Sequence, residues 1–283
     1  MTIQSPLGWV WERVRLSAQG IGSAPPAEYW ARADRPAPTV RRIGLADLRA
    51  ALAAGLADFA AVRTDVMFLC VVYPVVGLLL WRLAAGGFLP LLFPLASGFA
   101  LIGPVAAIGI NELSRRREQG DVVRWVDAFG VLHSPAIGSI VLLGLLLVVL
   151  FLLWLVAAGT IYQAIFGAVQ PASLAAFARD VLGTPAGWRL TVLGIGVGFV
   201  FALVVLAISV VSFPLLLDRD VGVEMAVRTS IRAVAANPGP MAAWGLIIAG
   251  LLALGSLPFL LGLVVVMPVL GHATWHLYRR LVV

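Results

Sequence analysis

The sequence has no lysine, one cysteine and few charges of any kind. Of its 283 residues, 12% are charged, against about 25% in a typical soluble domain. The lone Cys70 excludes an intrachain disulfide and any multi-cysteine zinc or iron–sulfur site. We read it as a small buried apolar residue of the first membrane span. Charge is absent altogether from 66–81, 83–111, 128–178, 190–217 and 233–278. Several of these blocks exceed the roughly 18 residues needed to cross a bilayer. Apolar residues make up 61% of the chain, and the mean hydropathy is +1.01. A soluble domain of this length has no interior large enough to hide that much apolar surface. The expectation is an all-α, polytopic membrane protein.

The basic residues are 20 arginines, for a formal charge of +6. A pI near 10.6 on a soluble protein would point to nucleic acid. Here the arginines border the spans, where they orient the chain in the membrane. The expected partners are therefore the lipid bilayer, anionic lipid headgroups or other membrane proteins, and no nucleic acid.

Residues 1–43 hold Pro25-Pro26, Pro36, Pro38 and several charges, with no apolar core of the kind a signal peptide needs. They read as a disordered cytoplasmic tail whose Trp9, Trp11 and Trp30 dip into the lipid interface. Residues 44–283 read as one membrane domain of six spans in three pairs, near 66–84, 88–110, 137–161, 190–214, 241–256 and 258–277. The polar residues Gln163, Gln170 and Ser173 make the end of the third block an external loop. Counting arginines by side places 17 of the 20 on one face. The positive-inside rule then puts both termini in the cytoplasm.

A cytoplasmic amphipathic helix is expected before each pair. The first, 44–62, carries the stripe Leu45, Leu48, Leu52, Leu56 and Phe59, with Asp47, Arg49 and Asp58 off it. The second, 118–132, lines up Val122, Val126 and Phe129. The third, 220–236, lines up Val223, Val227, Ile231 and Val234, with a Glu224, Arg228, Arg232 ladder on another face. Ser134-Pro135 and Asn237-Pro238 each pair an N-cap residue with proline at the first helical position. Their offset suggests repeat units of about 44–110, 118–214 and 220–280. Each returning span holds proline: Pro94 and Pro104, then Pro214, then Pro258 and Pro268. Such prolines either kink helices for packing or free carbonyls for a substrate.

No acidic or basic side chain lies deep in a predicted span. Proton relays, ion-coupled carriers and intramembrane hydrolases usually need one. This argues against catalysis and active transport, and no cofactor is expected. His272 and His276 share a helical face and are the candidate metal ligands, with His133 as a third in space. Beside Trp275, Tyr278, Arg279 and Arg280 they also read as an interfacial anchor. Glu112 and Arg116 can pair at i, i+4, and with Asp218 and Asp220 they form a candidate cytoplasmic polar cluster able to clamp a headgroup or a partner loop. Gly194-x-Gly196-x-Gly198 lies inside a span and cannot be a nucleotide loop. Gly194 and Gly198 instead offer a face for helix packing. No serine shows an adjacent base, and no Ser-His-Asp arrangement is apparent.

Four strings carry a resemblance. They are Phe93-Pro94-Leu95 through Gly103-Pro104; Glu112-Leu113-Ser114-Arg115-Arg116-Arg117-Glu118; Val211-Ser212-Phe213-Pro214-Leu215-Leu216-Leu217-Asp218-Arg219-Asp220-Val221-Gly222; and Pro268-Val269-Leu270-Gly271-His272-Ala273-Thr274-Trp275-His276-Leu277-Tyr278. With these the chain, from about residue 40 onward, resembles the bacterial integral-membrane family catalogued as domain of unknown function 2189 (DUF2189). The resemblance implies a multi-span protein of the bacterial inner membrane, with no established activity, cofactor or catalytic residue. The cytochrome oxidase label some members carry finds no support, since only His272 falls within a span. Two functions are expected: a non-enzymatic component organising lipids or partner membrane proteins, and, as the alternative, a transporter or channel for a small apolar or lipid-like molecule.

Overall fold

Apolar runs in lipid fold as helices because a helix satisfies every backbone group within its own segment. The computed structural model describes residues 38–85, 89–168, 171–257 and 260–283. Among these the chain is all-helical apart from one antiparallel bridge, Val40 with Val282. The α-helices are α1 (Leu45–Cys70), α2 (Val72–Ala85), α3 (Leu92–Ala106), α4 (Ile108–Glu118), α5 (Ile137–Phe166), α6 (Leu174–Gly183), α7 (Pro185–Ser209), α8 (Ser212–Asp218), α9 (Gly222–Ala236), α10 (Pro238–Ser256) and α11 (Leu263–Leu281). Short 3-10 helices occupy Leu89–Leu91 and Trp125–His133.

Three of these units are long and apolar enough to cross a membrane: 137–166, 185–218 and 238–256. Their outward faces are apolar, with Leu142, Leu145, Leu152 and Val156 exposed on α5 and Val192, Ile195, Phe199 and Val200 on α7. Such a surface is stable only against lipid or another apolar partner. Of the other three expected spans, two are broken and one is a continuous helix with a polar end. The one at 66–84 divides at Val71 between α1 and α2. The one at 88–110 comprises a 3-10 turn, α3 and the start of α4, with the break at Ala107 just past Pro104. The one at 258–277 is the polar-ended α11, whose His272, Trp275 and Tyr278 are buried in protein.

Helix starts follow cap chemistry. Ser134 Oγ accepts the Ala136 N–H ahead of α5. Thr184 Oγ1 accepts the Gly187 N–H, with Pro185 opening α7, so a cap–proline pair also begins a helix at the far end of the bundle. α5 stops at Gly167, whose φ of 69° suits the residue without a Cβ. The expected external loop contains α6, capped by Ser173 Oγ on the Ala176 N–H.

The expected surface helices change on folding. α1 continues past its amphipathic part and bends at Val62, where φ is −124° and ψ 23°. Before the bend its buried residues are Leu48, Ala51, Gly55 and Asp58, while Leu45 and Leu56 of the expected stripe are exposed. The cause is α11, which packs antiparallel along the small residues. A Cβ on Gly55 would sit 2.5 Å from the backbone nitrogen of Ala273, so only glycine permits this approach. Residues 118–132 do not form an α-helix. The 3-10 helix there buries Ala128 and Val131 and leaves Val122, Val126 and Phe129 exposed. α9 likewise buries Ala226, Thr229, Ser230 and Ala233, leaving Ile231 and the Glu224–Arg228 pair exposed.

The tail reading of residues 1–37, with Trp9, Trp11 and Trp30, falls outside the described residues, as does Pro258. Residues 38–43 are tied down. Arg41 N–H donates to Leu281 and Val283 N–H to Thr39. Asn237 was expected to cap α10, but its side chain accepts the Ile43 N–H and donates to the carbonyls of Arg41 and Ala233. Of the glycine pair in α7, Gly198 lies against Trp154, where a Cβ would come within 3.0 Å. Gly194 faces open space, so the expected GxxxG contact is half present.

Candidate functional site

α4 places a polar residue at almost every position after Leu113, and the fold supplies a partner for each. Three helices meet there: α4, α1 and α11. Asp58 of α1 is the common acceptor. His276 Nε2 lies 2.8 Å from its Oδ2, and Ser114 Oγ donates to the same oxygen at 2.8 Å. Ser114 Oγ is also 2.7 Å from His272 Nδ1. A serine has one proton to donate. With that proton on Asp58, His272 must donate from Nδ1, which leaves Nε2 as a lone pair. That atom is buried without a partner among the described residues. Arg117 closes the set by donating to the carbonyls of Ala57 and Asp58, groups freed near the bend of α1. Burial pushes the Asp58 carboxyl up, but the hydrogen bonds from His276 and Ser114 and the nearby imidazoles outweigh it, so the group lies below the ordinary aspartate value.

This arrangement brings a serine, histidines and an aspartate together, contrary to the sequence reading. Its wiring is not that of a nucleophile. The serine sits between carboxylate and imidazole, whereas nucleophilic catalysis needs the imidazole in the middle. Ser114 is also only 1% exposed. His272 and His276, the candidate metal ligands, bond Ser114 and Asp58 respectively, and among the described residues no group of three or more histidine, cysteine or carboxylate side chains is arranged to hold a metal ion. Nor are the aromatic neighbours interfacial anchors. Trp275 is buried and donates to Glu118 at 2.9 Å, and Tyr278 is buried and donates to Asp218. Burial and that carboxylate push the Tyr278 hydroxyl well above the ordinary tyrosine value.

The opposite face of α4 holds the cluster expected from sequence. Glu112, with a side chain only 3% exposed, takes Arg115 through two bonds of 2.7 and 2.9 Å and Arg116 through one of 2.7 Å. Its bonds to Glu112 hold the Arg115 guanidinium above its ordinary value against the effect of burial. Arg116 also reaches Asp127 of the 3-10 helix at 3.2 Å. Gly130 leaves room for it, since a Cβ there would lie 2.3 Å from Arg116 Nη2. The four expected residues, Glu112, Arg116, Asp218 and Asp220, all line one cavity of about 390 Å³. Arg115, Arg219 and His133 share its walls, together with Ser134 to Ala136 and Leu216 to Leu217. His133 thus belongs to this cavity and not to the His272–His276 pair.

The cavity lies where one long apolar helix begins, at Ile137, and another ends, at Asp218. That places it at one border of the membrane. A second polar seam runs from it along α11: Arg279 reaches Glu118 at 3.0 Å and Asp218 at 3.5 Å, and Arg280 reaches Asp47 at 3.4 Å.

Sequence reasoning missed Asp58, Ser114 and Glu118. Asp58 had one detectable signal, its spacing of three from Gly55 on the small-residue face of α1. No curated protein and no solved structure matches the chain. Over residues 92–218, the stretch from α3 through α8, the chain matches the family model described as a predicted integral membrane protein (DUF2189), which bears out the resemblance drawn from the motifs.

Proposed function

We propose that the protein is a non-enzymatic component of the bacterial inner membrane, with both termini in the cytoplasm, that organises lipids or partner membrane proteins. The observation that carries this reading is the cavity of Glu112, Arg116, Asp218 and Asp220, set between the start of one long apolar helix and the end of another. Both signs of charge meet there beside bare apolar helix faces, which suits a headgroup or a loop of a membrane neighbour. The arginines around the cavity and in the 115–117 connector support a cytoplasmic position for that membrane border. The paired-span architecture belongs to this reading, with α1–α2 and α3–α4 as the first pair in broken form.

The carrier alternative draws on the proline breaks. Near two of those breaks a backbone polar group is taken within the protein, which favours packing there. The Pro94 carbonyl accepts the Trp154 indole N–H at 3.0 Å, and the Val211 N–H, freed before Pro214, finds Ser230 Oγ. Site-specific photocrosslinking from residues 122 and 219 in native membranes, read by mass spectrometry, tests the proposal. A reproducible lipid or membrane-protein adduct from both positions is the expected result. Reporter fusions that place the Arg115–Arg117 connector outside the cell would overturn the sidedness.

A further inference from the structure

We infer that the membrane-border cavity binds the headgroup of a zwitterionic phospholipid of the phosphoethanolamine type. The inference rests on the membrane-component reading and narrows it to one ligand class. The cavity's volume, about 390 Å³, lies within the range of small-molecule sites, about 300–1,000 Å³.

Its charge is the discriminating feature. Three arginines, Arg115, Arg116 and Arg219, face three carboxylates, Glu112, Asp218 and Asp220. The site is neutral in sum, with both signs of charge interleaved along its walls. A ligand matching that pattern carries both charges itself, with phosphate toward guanidinium and ammonium toward carboxylate. A purely anionic headgroup would meet arginines whose charge the carboxylates already offset. The arginines still have donors to give: Arg115 uses Nε and Nη2 on Glu112, and Arg116 uses Nε and Nη1, out of five N–H groups each.

Two further features point the same way. The three residues leading into α5, Ser134 to Ala136, form part of the wall, and the positive end of a 30-residue helix favours phosphate. Leu216 and Leu217 form an apolar floor beside the polar walls. The next turns of α5 expose Leu142, Leu145, Leu146 and Val149, an apolar track for acyl chains. A lipid satisfies headgroup site and track together, whereas a soluble phosphate ester satisfies only the first.

The test uses full-length protein in nanodiscs of equal phosphatidylethanolamine and phosphatidylglycerol, released into native mass spectrometry, with free glycerophosphoethanolamine as a competitor. The wild type should retain phosphatidylethanolamine over phosphatidylglycerol, and the soluble competitor should not displace it. Arg219→Glu should lower that retention roughly fivefold, as expected for loss of one partly exposed charged contact. Asp220→Asn leaves the site with one net positive charge and should raise phosphatidylglycerol retention above the wild-type level. That gain cannot come from misfolding. Equal retention of the two lipids by the wild type, or unchanged retention in both variants, overturns the inference. Displacement by the soluble ester overturns the lipid source. A protein adduct in place of lipid from a photocrosslinker at 219 overturns the inference but leaves the membrane-component reading standing. Recovery of monodisperse protein without detergent overturns both.

Discussion

The junction of α1, α4 and α11 and the pair α5–α7 obey different rules. At the junction nearly every polar side chain has a named partner: Asp58 takes Ser114, His276 and Arg117, Glu112 takes Arg115 and Arg116, and Glu118 takes Trp275 and Arg279. Along α5 and α7 the inward residues Leu143, Leu147, Trp154 and Val205 are buried, while the outward ones are exposed and apolar. Lipid is as apolar as leucine, so an outward leucine gains nothing from its identity. A buried carboxylate must find donors, so its position is specified to within a fraction of an ångström. Uniqueness of the fold is concentrated at the polar junction, and the spans supply bulk and solubility in the bilayer.

The comparison predicts very unequal sensitivities. Asp58→Ala should be the most damaging single change, since it takes the acceptor from Ser114, His276 and Arg117 at once. A cost of about 3 kcal/mol or more is expected for breaking a buried charged network, measured as a fall in melting temperature in detergent. Gly55→Val should cost about 1–3 kcal/mol by forcing α1 away from the Ala273 backbone, visible as loss of a monodisperse peak in size-exclusion chromatography. Ser114→Ala should cost about 1–2 kcal/mol, because it removes one hydroxyl that joins two groups. Leu145→Ala on the outward face of α5 should change stability by less than about 0.5 kcal/mol. A cost there equal to that at Ser114 would erase the contrast and mark α5 as an occupied interface.

Titration sharpens the same contrast. The folded-state Asp58 value lies below the unfolded one, so the unfolded chain binds the proton more readily. The stabilisation is therefore present above the unfolded value of about 3.9 and fades as the pH falls through the lower folded value. Melting curves of the wild type and Asp58→Asn should differ at neutral pH and converge in acid. A difference that persists in acid would show that packing, not ionisation, makes Asp58 matter.

Particular residues show how much of this was legible beforehand. The bend at Val62 falls where the amphipathic pattern of 44–62 ends, because the change of environment there is written in the residue types. Glu112, Arg116, Asp218 and Asp220, grouped from the sequence, line one cavity, because each lies near the end of an apolar run and those ends come together. The leucine stripe of α1 misled, since hydrophobic periodicity identifies an apolar face without saying whether protein or lipid will cover it. His272 and His276 showed their shared face but not their partner, which lies more than 200 residues away in sequence at Asp58.

The amino-acid order alone determined that lipid is the solvent for most of the charge-free blocks 128–178, 190–217 and 233–278, because apolar runs of that length have no stable alternative in water. Only the tertiary structure decided that 263–281 would become a buried polar strut. Burying Asp58, Glu112 and His272 is tolerable solely when donors from distant helices arrive at hydrogen-bond distance, and no local pattern encodes that arrival.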